Sequence, residues 1–455
     1  MIQRIEYLNR LAGLHEKPPV KLICGIRGCG KTTLLAMYID WLKHSGAQDR
    51  QIIYIDMEDP QNESLLSYQG LYSHIKKRLC ADAFSYIFID EIQRCANCEK
   101  ALEGLFIRKQ PPNMGIDIYA AASGGCAFSA VPHVEIKMLP LSFAEHLLFS
   151  RLDIPGRAEE LDAFSVAAPG GAAGAPRQAM PPQKPERRLP RQKVQMEKFL
   201  RQEAFSNYLS FGGFPFAAAM GGDPQLIRQC TEGIFNTVLI RDVARQTGIN
   251  SIPLLENIAR LMGQSTGRPL SSKKISAAIS SKGRKLSVNT AEMYIKALTE
   301  SLVFYHVERF DIKAGKRLKT LGKYYAADTG MRNLLPESAG ETDGLLENIV
   351  CMELLRRGFH VCTGKYDSDE VNFAAFENSG DSRAAAYFQV TASARDASVL
   401  ARKAAPLEKI RDDSPKYILS LDDTPFNMNY RGIVRQNLIE WLLERRAPLP
   451  DHPIA

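Results

Sequence analysis

No apolar run in these 455 residues approaches the ~20 needed to cross a bilayer. A helical channel or carrier is therefore excluded, and no membrane partner is expected. The opening Met1-Ile2-Gln3-Arg4-Ile5-Glu6 is not expected to act as a signal peptide. The chain also lacks an organised cysteine framework. Its nine cysteines are odd in number and scattered, which excludes a disulfide-stapled scaffold and points to a reducing cytoplasm. Cys95-Ala96-Asn97-Cys98 is a lone CxxC. With no second pair at zinc spacing, two unrelated thiols explain it better than a metal. Charge of one sign is not lacking overall, since the chain carries +7.

What is present is an ordinary soluble profile, 45% hydrophobic and 24% charged. The length exceeds one hydrophobic core, so two to four domains are expected. The most specific stretch is Gly25-Ile26-Arg27-Gly28-Cys29-Gly30-Lys31-Thr32, which fits G-x-x-x-x-G-K-[ST] at every fixed position. Val20–Cys24 before it predicts a buried strand, and the run from Thr33 to Ile39 predicts a helix. Glycines let backbone N–H groups close around phosphate oxygens at the positive end of such a helix. Lys31 is expected to reach the β- and γ-phosphates of ATP, and the Thr32 hydroxyl to hold Mg²⁺. Thr33 completes the expected cofactor contacts.

Tyr86-Ile87-Phe88-Ile89-Asp90-Glu91 is an apolar run ending in two carboxylates. It predicts a buried parallel strand, and ligands bind at the carboxyl ends of such strands. Asp90 is expected to accept from the Mg²⁺ water shell, and Glu91 to polarise the attacking water. Ile52–Asp56 lies between these two strands in sequence, with further strands expected at 116–120 and 134–138 and a helix over about 98–106. The extra strand and the Glu after the Asp place residues 1–150 in the AAA+-like branch of P-loop NTPases. Ser123, ending the fourth strand, is the candidate γ-phosphate sensor.

Residues 151–195 are expected to be a disordered linker. Ala168–Pro176 holds only Ala, Gly and Pro, too little to bury, and a Pro- and Arg-rich run follows. From 196 to 335 the chain is expected to be helical. Periodicity covers 225–263, then a short helix at 275–279 and a second one opened by Ser287 or Asn289. With Val303–Val307 and a basic hairpin after them, these helices resemble a winged helix. Residues 177–201 carry net +6 and residues 268–323 net +9, which leaves the rest of the chain acidic. A DNA or protein partner of acidic character is expected at 268–323.

Residues 336–455 are expected to form a final α/β unit with the order helix, strand, strand of PD-(D/E)xK restriction-endonuclease-like domains. That chemistry needs carboxylates on both strands and a nearby Lys. Here Asn372 and Gln389 occupy the acid slots and Thr391 the Lys slot, with Glu347 and Glu370 remaining. The domain is expected to be catalytically inactive.

The combination resembles bacterial and archaeal AAA-type ATP-binding proteins whose C-terminal half is a domain of unknown function. The residues that carry it are Gly25–Thr32, Phe88–Gln93, Leu139–Glu145, Phe211-Gly212-Gly213-Phe214-Pro215, Lys323–Gly330, Leu346-Glu347-Asn348 and Glu370–Phe373. The resemblance implies an AAA+-like core, a winged-helix-like middle and a nuclease-like end. Three departures stand out: Ala121-Ala122-Ser123 where that family has Thr-Gly-Ser, Ala130-Val131-Pro132-His133 where it has a Gly-Arg, and Asn372 for Asp. The expected function is a slowly hydrolysing ATPase that works as a nucleotide-dependent switch with a partner-binding C-terminal half. The alternatives are a nucleic-acid enzyme coupling ATPase to nuclease, and a DNA-binding regulator.

Overall fold

The computed structural model describes residues 4–106, 115–125, 128, 130–150, 191–220, 223–281, 283, 285–335, 342–423 and 428–444. These fall into two compact units, divided between Met138 and Leu139 and between Arg201 and Gln202, with 139–150 belonging to the second.

The first unit is built on five parallel strands: β1 (Val20–Gly25), β2 (Ile52–Asp56), β3 (Ser85–Asp90), β4 (Ile116–Ser123) and β5 (His133–Lys137). Their spatial order is β2-β3-β4-β1-β5. Every residue of β1 and β3 is buried, as a sheet covered on both faces requires. The helix Lys31–His44 buries Leu34, Leu35, Tyr38 and Leu42 on one side. The helix Ile5–Gly13 buries Tyr7, Leu8 and Leu11. The helix Cys98–Phe106 stands where its amphipathic pattern predicts.

Most of the expected 151–195 linker lies outside the described residues. Residues 191–195 depart from that expectation, because they begin a helix, Arg191–Phe211. Past Pro190 the sequence is free of Pro and Gly and rich in Gln, Lys, Glu and Leu, all good helix formers.

The second unit holds helices Ile252–Gln264, Ser272–Ser280 and Val288–Glu300. Ser287 caps the last, accepting from Thr290 N at 3.0 Å. The expected continuous periodicity over 225–263 is interrupted. Pro224–Thr237 runs into a π-helical stretch, Val238–Ala244, and Gly248 at φ 70° ends the segment.

This unit also holds a mixed sheet, of eight strands among the described residues. Its strands are β6 (Phe304–Asp311), β7 (Lys316–Ala326), β8 (His360–Tyr366), β9 (Asp369–Phe376), β10 (Ala386–Val390), β11 (Lys416–Ser420), β12 (Met428–Tyr430) and β13 (Ile433–Asn437). The order is β12-β13-β11-β10-β9-β8-β6-β7. The basic hairpin β6–β7 is the edge of this sheet, because β6 pairs in parallel with β8 from Glu308↔Cys362 to Asp311↔Lys365. The hairpin and the C-terminal strands thus share one sheet and one core around Phe310, Cys362, Val371, Phe376 and Tyr387.

Candidate nucleotide site

The loop after β1 is shaped by its glycines. Gly28 has φ 84° and Gly30, at the N-cap of the helix Lys31–His44, has φ 105°, a region that L side chains enter only with strain. At Gly25 a Cβ would overlap the carbonyl oxygen of Met138 and the sulfur of Cys29. Ile26 and Cys29 are 1% and 0% exposed. Their side chains serve the core, so they can offer a ligand only backbone N–H. Thr32 and Thr33 are exposed at the helix start, where the macrodipole and open N–H groups favour an anion.

The expected chemistry residues converge here. Lys31 is buried, and its ammonium donates to Gly25 O (3.1 Å), Ile26 O (3.3 Å) and Ser123 Oγ (3.0 Å). Ser123 Oγ in turn donates to Glu91 Oε1 at 2.6 Å. A single chain therefore links the P-loop lysine, the end of β4 and the acid after β3. Ala121 and Ala122 are fully buried within β4, so Ser123 is the polar side chain of the last three strand residues. Glu91 adopts φ 52°, a conformation that turns the chain away from β3 at the carboxylate. Its other oxygen accepts from Gln93 Nε2 at 2.5 Å and lies 3.5 Å from Arg27 NH2.

Asp90 closes the metal side. It is buried, burial raises its carboxyl above the ordinary range, and a hydrogen bond from the Thr32 hydroxyl opposes that rise. Its Oδ1 accepts the backbone N–H of Glu91 at 3.0 Å. A hydroxyl paired with a carboxylate is a hard-oxygen donor set, which suits Mg²⁺ better than a soft metal. Thr32 and Asp90 would hold the ion, and the ion would neutralise phosphate charge when bound.

Three residues of the site were given no role by sequence reasoning. Glu58 holds Arg27, with Arg27 NH1 at 3.2 and 3.3 Å from its two oxygens. Gln93 orients Glu91, and Tyr54 OH reaches Asp90 Oδ2 at 3.5 Å. Gln93 had a local signal, two residues past Glu91. Glu58 had a weaker one, two residues past β2. Before β5 no arginine appears. His133 stands in that turn and bonds locally, Nδ1 to Val131 O at 3.0 Å.

A glycine loop between strand and helix, with acids ending a second parallel strand of the same sheet, defines the class of P-loop NTPases. Residues 17–147 match the family model described as an AAA domain, and residues 202–341 match one described as a domain of unknown function. The chain is an AAA-type P-loop protein in which a domain of unknown function follows the AAA domain. An uncharacterized protein of Haemophilus influenzae is 27% identical over 384 residues, spanning 82% of this chain and 84% of that one. An uncharacterized protein of Methanocaldococcus jannaschii is 23% identical over 350 residues, spanning 75% and 67%. Among solved structures, a Walker-type ATPase of Pyrococcus abyssi shares 13% identity over 74% of this chain and 96% of its own, with a TM-score of 0.45. Among the described residues, no helix is long and apolar enough to cross a membrane.

Proposed function

We propose that the first unit binds ATP with Mg²⁺, hydrolyses it slowly, and so acts as a nucleotide-dependent switch for residues 202–455. The observation that carries this reading is the Lys31–Ser123–Glu91 chain beside the Thr32–Asp90 pair. In it Lys31 binds the β- and γ-phosphates in exchange for its carbonyl contacts, Asp90 and Thr32 hold Mg²⁺, and Glu91 activates water. Ser123 touches both the cation and the base, which is what a γ-phosphate sensor needs to do. Slow turnover is expected because Glu91 is already engaged by Ser123, Gln93 and Arg27, and must be released before it can take a proton. Titration with labelled ATP and Mg²⁺ tests the reading: Lys31→Ala should abolish binding, and unchanged affinity would remove the P-loop assignment.

A second reading, a DNA-binding regulator, draws on the net +9 of residues 268–323. ATP turnover measured with and without duplex DNA separates the two. Stimulation by DNA favours the regulator or a nucleic-acid enzyme, and indifference favours a protein partner.

A further inference from the structure

The nuclease-like order of the second unit implies a divalent metal held by carboxylates, and the residues present do not fit one. Glu347 comes from the helix Thr342–Arg356 and Glu370 from β9. These two acids keep their expected places. Asn372, however, uses its amide to tie the strands: Nδ2 donates to Glu347 Oε1 at 2.7 Å and Oδ1 accepts from Val390 N at 2.9 Å. Gln389 donates to the Glu370 carbonyl at 2.9 Å. Thr391 turns to Asp343, with Oγ1 3.3 Å from Oδ2.

The decisive group arrives from elsewhere. Lys323, on β7 and 1% exposed, places its ammonium 2.5 Å from Glu370 Oε1 and 3.6 Å from Glu347 Oε2. Tyr325, two residues on along the same strand face, donates to Glu347 Oε2 at 3.1 Å. Both retained acids thus face the Lys323 ammonium, and the Lys403 ammonium adds a second positive charge near Glu347. We propose that Lys323 is a built-in counter-ion that occupies the metal position of this unit, so that its carboxylate cluster binds no divalent ion.

The chemistry supports an internal cation. A buried carboxylate needs a compensating charge, and an ammonium supplies it with three donors and no exchange with solvent. Magnesium would need oxygen ligands at ~2.1 Å in octahedral array. That requires the same carboxylate oxygens which Lys323, Asn372 and Tyr325 now use, and it sets a second cation beside the first. Lys323 also ties the basic hairpin to the helix Thr342–Arg356 through Glu347, while its backbone bridges Pro269 beside the Leu270 N–Gly322 O hydrogen bond of 3.1 Å. The cation is thus part of the fold.

Mn²⁺ binding to the nucleotide-free full chain, followed by electron paramagnetic resonance and by melting temperature, tests the proposal. The parent and Glu347→Gln should take up the same amount of Mn²⁺. Lys323→Ser, or the volume-conserving Lys323→Met, should gain an additional Mn²⁺ equivalent that disappears when Glu347→Gln is added. Lys323→Arg should gain none. Parent binding that falls in Glu347→Gln overturns the proposal, and that comparison stands even if every Lys323 variant fails to fold. A folded Lys323→Ser or Lys323→Met chain with no additional ion also overturns it. None of these readouts involves ATP, so they stand or fall apart from the reading of the first unit.

Discussion

At the residue scale the two acids at the end of β3, Asp90 and Glu91, divide their labour in a way that mutation can separate. Glu91→Gln keeps the side-chain volume and leaves the Thr32–Asp90 pair untouched, so ATP affinity should change little. Hydrolysis should slow by roughly 10²-fold or more, the usual consequence of losing a positioned base. Asp90→Asn should instead weaken Mg²⁺-dependent binding, since it removes the charge that Thr32 supports. Single-turnover hydrolysis and nucleotide titration on the two variants check this, and parent-like hydrolysis in both reduces the pair to a strand end. A second residue reports on stability. His146 is 5% exposed, its Nδ1 has no hydrogen-bond partner among the described residues, and burial lowers its pKa to about 4. An unfolded His titrates near 6.5. Between these values the unfolded chain binds the proton and the folded one does not, so stability is full above 6.5 and falls as pH drops toward 4. The loss is about 3 kcal/mol at 1.36 kcal/mol per pKa unit. His146→Phe keeps the ring edge against Tyr208, 5.2 Å between centroids, and should flatten that part of the urea-midpoint-against-pH curve relative to the parent. Parallel curves for the two proteins would show that His146 does not titrate in this window.

At the element scale two stretches quoted for the family resemblance prove to be halves of one latch. Gly212 at φ 82° brings the chain onto Asp328, whose Oδ2 accepts from Gly213 N at 2.6 Å while Oδ1 caps the helix Thr329–Asn333 at Met331 N, 3.0 Å. Thr329 Oγ1 donates to Tyr208 O at 3.0 Å. A Cβ at Gly212 would overlap the Asp328 carboxylate. Gly212→Ala should therefore destabilise the second unit by more than the roughly 1–2 kcal/mol of a left-handed backbone alone, read as a lower urea midpoint. An unchanged midpoint would mean that the loop relaxes at no cost. The latch also shows what sequence could and could not give. Phe211–Pro215 and Lys323–Gly330 were visible as separate patterns, but their pairing across more than a hundred residues was not. The first unit was legible because strand, glycine loop, helix and acid-tipped strand are each local signals in chain order. β8 was missed because His360-Val361-Cys362-Thr363-Gly364-Lys365-Tyr366 has neither clean alternation nor an apolar run. β12 and β13 are short and polar, and exist because the sheet offers them a partner. Lys323 could not be assigned to Glu347 and Glu370 because only the β6–β8 pairing brings β7 into that sheet.

At the scale of the whole molecule, the uneven charge decides what a polyanion could touch. Of the basic residues in 268–323, Lys323 is committed to Glu370 and Glu347. Arg317 is half-buried, over the Phe376 ring and within 3.5 Å of Glu308. Neither can serve a phosphate without giving up an internal partner. Lys273, Lys274, Lys285 and Lys316 are exposed; the first two lie in the opening turn of the helix Ser272–Ser280 and Lys285 between that helix and Val288–Glu300. If this face binds duplex DNA, affinity should fall with salt at a log–log slope near −0.9 per phosphate neutralised, with little dependence on sequence. Replacing Lys273, Lys274 and Lys285 together by Gln should flatten the slope by up to about three such steps. Arg317→Gln should instead lower stability and leave the slope alone. Fluorescence anisotropy with a labelled duplex at several salt concentrations measures both. A parent protein that binds only weakly and without salt dependence would assign the exposed lysines to solubility or to a protein partner, because a phosphate contact that releases no counter-ion is not an electrostatic one.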